Sequence, residues 1–223
     1  MKRISWLVTV LIIAFQSCGL DDDQGLCLIG SGVYNDYTIE LDPFNEIVLF
    51  GPVDLNIVQD EQQQVTINAE PEIFDYISYE VVNQRLEIGI KENLDCFESE
   101  EGVMIRVTVP DIESIFALGL SDINAIGNLD LDKLRIDIQG GANIILRGTV
   151  EEQIIDVSGE VRLYNFDLLT DITKIIVNGA AEIEVSCESI LDIQVTGVAT
   201  ISYKGRPQIS RTGTGNINLI DSN

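Results

Sequence analysis

The chain is expected to be all-β: a parallel β-helix, or stacked-strand solenoid, with an elaborated N-terminal β section. Three observations predict this. One short frame recurs around glycines through the second half, at a period of about 20 residues. Within it apolar and polar residues alternate as they do on a strand with one buried face. No helical period accompanies the glycines, and turn-forming residues separate the apolar runs.

Length and composition are compatible with that class. A chain of 223 residues, 45% hydrophobic, has room for one large all-β domain or two small ones with a proper core. Asp plus Glu number 37 against 13 for Lys plus Arg, a net charge of −24, and histidine is absent. Such a charge repels nucleic-acid phosphates and anionic lipid headgroups. It fits a soluble surface, a cation-rich exterior or a basic partner. The missing histidine removes the commonest general base and metal ligand.

Residues 1–17 are set apart from the fold. Lys2 and Arg3 precede a mostly apolar run over 4–15 that is short for a membrane span and has the layout of a secretory signal. Ending on Ser17-Cys18, it resembles a bacterial lipoprotein signal, cut before the cysteine. Phe15, three before Cys18, departs from the Leu or Val usual there; an ordinary signal with an incidental cysteine is the alternative. On the lipoprotein reading Cys18 is the lipidated first residue, anchoring the chain to a membrane, and loss of Lys2 and Arg3 takes the net charge from −24 to −26. Asp21, Asp22 and Asp23 follow, and the stretch 18–43 reads as an acidic tether. The acidic cluster resembles the surface-export signal of Bacteroidetes lipoproteins, with a plain solvated linker as the other reading. Export implies an oxidising compartment. Cys27 and Cys96 are one candidate disulfide, and any pairing among Cys27, Cys96 and Cys187 stays open.

The domain then runs over 44–220, with an elaborated section (44–110) before the regular repeats (111–220). Alternation at 55–58, VTINA (65–69), ISYEVV (77–82), RLEIGI (85–90) and MIRVTV (104–109) reads as longer strands. Polar stretches at 60–64 and 91–102 separate them, and Pro110 marks an internal boundary.

The repeats align on Gly119, Gly140, Gly159, Gly179, Gly197 and Gly213, with an upstream copy around Gly51. Isoleucine stands four before each of the six: Ile115, Ile136, Ile155, Ile175, Ile193 and Ile209. Four after come Ile123, Ile144, Leu163, Ile183, Ile201 and Ile217, and two after come Ser121, Ala142, Val161, Ala181, Ala199 and Gly215. The even positions share one strand face, so the frame describes a buried row with a hollow at its glycine. A single unit buries too little to stand alone, so the units stack. The period leaves room for two short strands per rung, the second marked by Leu129 and Leu131, Leu168 and Leu169, and Val185 and Cys187. Cys187 shares the parity of Ile183 and Val185 and is expected in the core; Tyr203, six after Gly197, is expected to be partly buried.

On this frame the chain resembles the auto-transporter adhesin head domain family, the GIN domain, carried on lipoproteins of Bacteroidetes. FNEIVLFGPVDLNIVQ (44–59) looks like its opening strand pair and NQRLEIGI (83–90) like its second hairpin. The Gly-x-small-polar-Ile units match its body, and ISYKGRPQI (201–209) with GNINLI (215–220) looks like its closing motif. Where the family prefers Ser-Gly-Ala or Ser-Gly-Ser, this chain has Leu118-Gly119-Leu120 and Asn178-Gly179-Ala180. The resemblance implies a right-handed parallel β-helical fold, a proposed adhesive role and no catalytic motif.

Candidate chemistry is sparse. Without histidine there is no Ser/His/Asp or Cys/His set, and no Cys-x-x-Cys occurs. Asp130 and Asp132, Glu151 and Glu152, and Glu182 and Glu184 are carboxylate pairs expected on solvated faces. A glycosidase pair in an acidic groove is the alternative. No catalytic, cofactor or metal residue is assigned. Calcium, taken by Asp21 to Asp23 or by the Asp130/Asp132 turn, is the one ligand-level idea. Tyr34, Tyr37, Tyr76, Tyr79, Tyr164 and Tyr203 are candidate contacts to sugar or protein. The expectation is a lipid-anchored binding or adhesion module at the outer membrane or cell surface, meeting a glycan or protein and no nucleic acid. A carbohydrate-active lipoprotein and a periplasm-facing structural lipoprotein are the alternatives.

Overall fold

The isoleucines and glycines of the frame stack rung on rung. In the computed structural model, which describes residues 27–223, Ser114–Ala125 lies parallel to Leu129–Ile145 with Ile115 opposite Ile136, Gly119 opposite Gly140 and Ile123 opposite Ile144. The column continues through Ile155, Ile175 and Ile193, all without solvent exposure. Of the described residues 69% are in strands and 2% in helix, with a β-solenoid of about 5 stacked turns in the C-terminal part. The leader 1–17, Cys18 and Asp21 to Asp23 lie outside the described residues.

Each rung holds three ladder segments where the sequence suggested two. Residues 129–131 stack on 148–150 and then 168–170. Residues 133–138 stack on 152–157, 172–177 and 190–195. Residues 141–144 stack on 160–163, 180–183 and 198–201. Gly159, Gly179 and Gly197 sit at breaks between segments, so there the stretch the frame treats as one strand is two, whereas Gly119 and Gly140 lie inside continuous strands. Leu169, one of the residues marking the second strand of each rung, is 44% exposed, while its neighbours Leu168 and Thr170 are buried. Cys187 is a buried free thiol and Tyr203 is half-buried against the core.

The reason for glycine is contact between backbones. A Cβ on Gly140 would lie 2.0 Å from the Gly119 carbonyl oxygen, one on Gly159 1.7 Å from that of Gly140, and one on Gly179 2.0 Å from that of Gly159. On Gly197 it would lie 1.9 Å from the Gly179 oxygen, and on Gly119 2.9 Å from that of Gly51. The column ends on Gly215, whose Cβ would meet the Gly197 oxygen at 2.4 Å. Gly213, the expected last anchor, lies against Val195 instead, one alternate position earlier. Ala199 pairs with Ile217 and Ile201 with Leu219, so the last copy is shifted by two residues from the sequence alignment. Parity survives a shift of two, so local alternation fixes the inward face but leaves the register to the neighbouring rung. In the true register Arg211, not Ile209, follows Ile193 in the core column.

The upstream copy is a genuine rung: Glu46–Phe50 pairs with 114–118, placing Ile47 against Ile115, and Asp54–Gln59 pairs with 123–125. Beyond it the sheet divides. Arg85–Ile90 extends one branch in parallel and Ile77–Val82 closes it antiparallel. Met104–Val109 extends the other in parallel, followed by antiparallel Gln64–Ala69 and Asn35–Ile39. All belong to one 15-stranded sheet. Asn35–Ile39 falls within the expected tether but is part of the fold. Its alternation turns Tyr37 inward, where the ring stacks on Phe74 at 3.7 Å between centroids. Phe74 ends the single helical turn Pro71–Phe74. The disulfide is Cys27–Cys96, which ties Leu28–Ile29 alongside Phe97–Glu98.

Candidate functional site

Polar ladders stitch the outer faces. Asn143 donates its side-chain amide to Asp122 at 2.8 Å, Thr149 its hydroxyl to Asp130 at 2.8 Å, and Thr196 its hydroxyl to Asn178 at 2.7 Å, each between neighbouring rungs. Arg135 bridges Asp137 and Asp156 on adjacent rungs at 3.1 and 3.3 Å. These side chains belong to solvated strand faces, where such pairs each contribute up to about 1 kcal/mol. Asp130 and Asp132 open on a shallow recess of about 240 Å³ with Glu151, Asp171 and Glu188. Among the described residues no three His, Cys, Asp or Glu side chains are grouped to hold a metal ion. Glu182 is exposed and Glu184 half-exposed, on the outer face. Tyr34 is tied into the fold by hydrogen bonds to Ser99 and Glu101, whereas Tyr164 faces outward.

A cleft of about 660 Å³ lies where the first rung meets the disulfide-tied loop. Its apolar lining includes Pro52, Phe97, Val103 and Leu120. Asp54, Asp95, Glu98 and Asp122 supply carboxylates, and among the described residues no Lys or Arg lines it. Leu120 is 67% exposed and is held in place over Gly141, where a Cβ would come within 2.8 Å of it. Ser121 borders the same cleft, but its side chain turns to the inward row opposite Ala142, where it is 5% exposed and its hydroxyl has no hydrogen-bond partner among the described residues.

Two aspartates form the polar edge of the cleft. Leu55 pairs with Ile123, which sets Asp54 directly beside Asp122 on neighbouring strands. The Asp122 backbone N–H donates to Asp54 Oδ1 at 2.9 Å, and Asn143 braces the Asp122 carboxylate from the other side. Burial pushes the Asp54 carboxyl above its ordinary value; the Asp122 N–H pulls it down and the Asp122 charge pushes it up again. Like charges directly opposite on a sheet are destabilising. None of Asp54, Ser121, Asp122 or Leu120 was singled out as a ligand contact from sequence. The frame carried a signal all the same: Asp54 stands three after Gly51 and Asp122 three after Gly119.

Asn216–Asp221 is an edge strand, and Ile209, Ile217 and Leu219 are half-buried where their counterparts are fully enclosed. Arg211 occupies the core column there and remains exposed, a charge that discourages a further rung. The Asn223 backbone N–H, then its side chain, hold the Asp221 carboxyl below its ordinary value.

The fold has solved counterparts. A crystal structure titled a "putative adhesin" from Bacteroides fragilis matches with a TM-score of 0.66 and 20% identity, covering 86% of this chain and 100% of that one. A "putative lipid binding protein" from Parabacteroides distasonis matches at 0.56 and 18% identity, over 88% and 100% of the two chains. A "putative adhesin" from Parabacteroides merdae matches at 0.51 and 18%, over 88% and 99%. At these identities the likeness is one of fold. No curated protein matches the chain. The profile of the family described as "Putative auto-transporter adhesin, head GIN domain" matches residues 43–207, nearly the whole stack and its elaborated start, and the chain belongs to that family.

Proposed function

We propose that this chain is a cell-surface binding module of the adhesion type, non-catalytic and held to the outer membrane by lipid on Cys18. The observation that carries the reading is a rigid stack that leaves large apolar side chains uncovered on an otherwise polar wall. Leu120, Ile145, Tyr164, Val198 and Ile220 are all exposed on the outward side of the third ladder segments. Side chains locked by stacked strands meet a partner with little further loss of conformational entropy. Family membership and the adhesin titles of two structural neighbours support the same reading. The leader ending on Ser17-Cys18 supports the anchor. Protease shaving of intact cells should remove the chain, and a Cys18→Ala variant should leave the membrane fraction. An array of glycans and extracellular-matrix proteins, run with the purified chain, should return specific binders. A chain protected in intact cells and silent on the array would refute the module.

One observation favours a second reading, a carbohydrate-active lipoprotein. Asp54 and Asp122 share a cleft, and the Asp54 carboxyl is held up, as a general acid requires. Release of reducing ends from polysaccharides, abolished in Asp54→Asn, would establish it; no release from any substrate on a broad panel would dismiss it.

A further inference from the structure

We propose that the Cys27–Cys96 bridge and the strap beside it form a mechanical clasp, which passes tension from the Cys18 anchor into interior strands of the fold. The inference rests on the anchored-module reading and adds how such a module carries load. A module held by lipid at one end and by a bound partner elsewhere is under tension whenever the two surfaces part.

Without the bridge the path is weak. Tension arriving from Cys18 enters the described residues at Cys27. Next comes Leu28–Ile29, a two-residue strand paired only with Phe97–Glu98 among the described residues. Asn35–Ile39 follows, at the end of its sheet branch and paired there on one side only, with Gln64–Ala69. An edge strand leaves half of its backbone groups out of the ladder. Under force a chain yields at the first weak element it meets, at that element's own unfolding rate. Only at Glu46–Phe50 does this path reach a strand with a neighbour on each side, 114–118 and 85–89.

The bridge supplies a second path. Cys96 lies in the loop 91–102, which joins Arg85–Ile90 to Met104–Val109. Each of these is an interior strand of one sheet branch. The first is flanked by 46–50 and 77–82, the second by 54–59 and 64–68. Leu86, Ile88, Ile105, Val107 and Val109 fix them in the core, none more than 1% exposed. A covalent bond from Cys27 to Cys96 therefore hands the load to both branches at once, ahead of every edge element.

The strap keeps the two cysteines together. Leu28 and Gly30 N–H donate to the Cys96 and Glu98 carbonyl oxygens at 3.1 and 2.9 Å. Gly32 N–H donates to Glu70 Oε1 at 2.6 Å, and that carboxylate is 1% exposed. The Ser31 hydroxyl donates to Glu72 at 3.1 Å, and the Tyr34 hydroxyl accepts from Glu101 N–H at 2.8 Å. Every one of these bonds runs from the strap to the loop 91–102 or to the turn at 70–72. They seat Cys27 beside Cys96, and they alone hold the strap when the bridge is open.

The test is single-molecule pulling of the purified chain, coupled to a surface by a thioether at Cys18 and held at a C-terminal tag. Cys187 is buried and does not compete for the coupling. With the bridge closed, extension should begin only when the stack itself yields. Cys27→Ser with Cys96→Ser should add an earlier step of about 60 Å, residues 28–45 drawn out at about 3.4 Å each. Dithiothreitol, which reduces the bridge to two thiols and is itself oxidised, should give the same step in the unsubstituted chain, with no variant to refold. Tyr34→Phe should lower the force of that step when the bridge is open and leave the bridged chain unaltered. Closure is verified by a fully drawn length shorter by about 240 Å, the separation of 69 residues at about 3.5 Å each. An early step with the bridge closed, none with it open by either route, or an effect of Tyr34→Phe on the bridged chain would overturn the proposal. Failure of the anchor reading shows elsewhere, as Cys18→Ala remaining in the membrane fraction, and does not alter these steps, so the two failures are distinct.

Discussion

Replacing Gly159 by alanine isolates the contact that makes glycine obligatory in the stack. The new Cβ would lie 1.7 Å from the Gly140 carbonyl oxygen, roughly half an ordinary contact distance. The obstacle is backbone, so no rotamer relieves it. Its φ lies outside the left-handed range, so the cost is steric alone. To open the gap, the two rungs must part where Ser158 N–H donates to Ile138 O at 2.9 Å and where the ladder of 141–144 on 160–163 begins. Overpacking of this kind costs about 1–3 kcal/mol, and two weakened backbone hydrogen bonds add about 1 kcal/mol each. The expected total is about 3–5 kcal/mol, a fall in Tm of roughly 10 °C for a chain of this size. The control is Gly127→Ala, where φ is +93° but no atom lies within 4 Å of the new Cβ. It carries only conformational strain, about 1 kcal/mol. Thermal and urea unfolding followed by circular dichroism measure both. A Gly159→Ala chain melting within 3 °C of the original, or no lower than Gly127→Ala, would refute backbone stacking as the reason for the column.

Three further outcomes follow from the same structure. For Asp54 the folded-state carboxyl lies above its unfolded value of 3.8, so its stabilising contribution is full below that value and is lost as pH rises through the folded one. Asp54→Asn, which retains an oxygen for the Asp122 N–H, should raise stability at neutral pH and confer no such gain near pH 3, checked by unfolding across pH. Cys27–Cys96 closes a span of 69 residues, for which chain entropy gives about 4 kcal/mol. Cys27→Ser with Cys96→Ser should therefore lower the urea midpoint clearly, and an unchanged midpoint would count against it. Arg211→Ile completes the isoleucine column in the last rung beside the edge strand, and sedimentation should show larger species than the unsubstituted chain at equal concentration.

Much of the architecture was legible in local pattern. The isoleucine spacing announced a stack, and parity placed Ile115, Ile136, Ile155, Ile175 and Ile193 inside, where all are fully buried. Cys187 was assigned to the core on parity alone and lies there. The last copy was harder, because 209–220 offers glycines at 213 and 215 and apolar residues at 209, 217 and 219. Two registers of equal parity satisfy that pattern. Neighbouring backbone chose between them, since only Gly215 lies against Gly197. Tyr37 falls in the stretch the sequence predicts as a tether because a five-residue strand at an edge has little periodicity of its own; its order comes from Ile67 across the ladder and Phe74 beneath the ring.

By itself, then, the sequence determined the period, the buried face and the requirement for glycine, all properties of residues within one rung. Only the tertiary structure decided the final register, the Cys27–Cys96 bridge and the cleft that joins Asp54 to Asp122 across 68 positions of chain. The physical reason is range: strand alternation repeats every two residues and shows in any short window. Which distant segments share a wall depends on how rungs and loops close on one another, and no local window contains that.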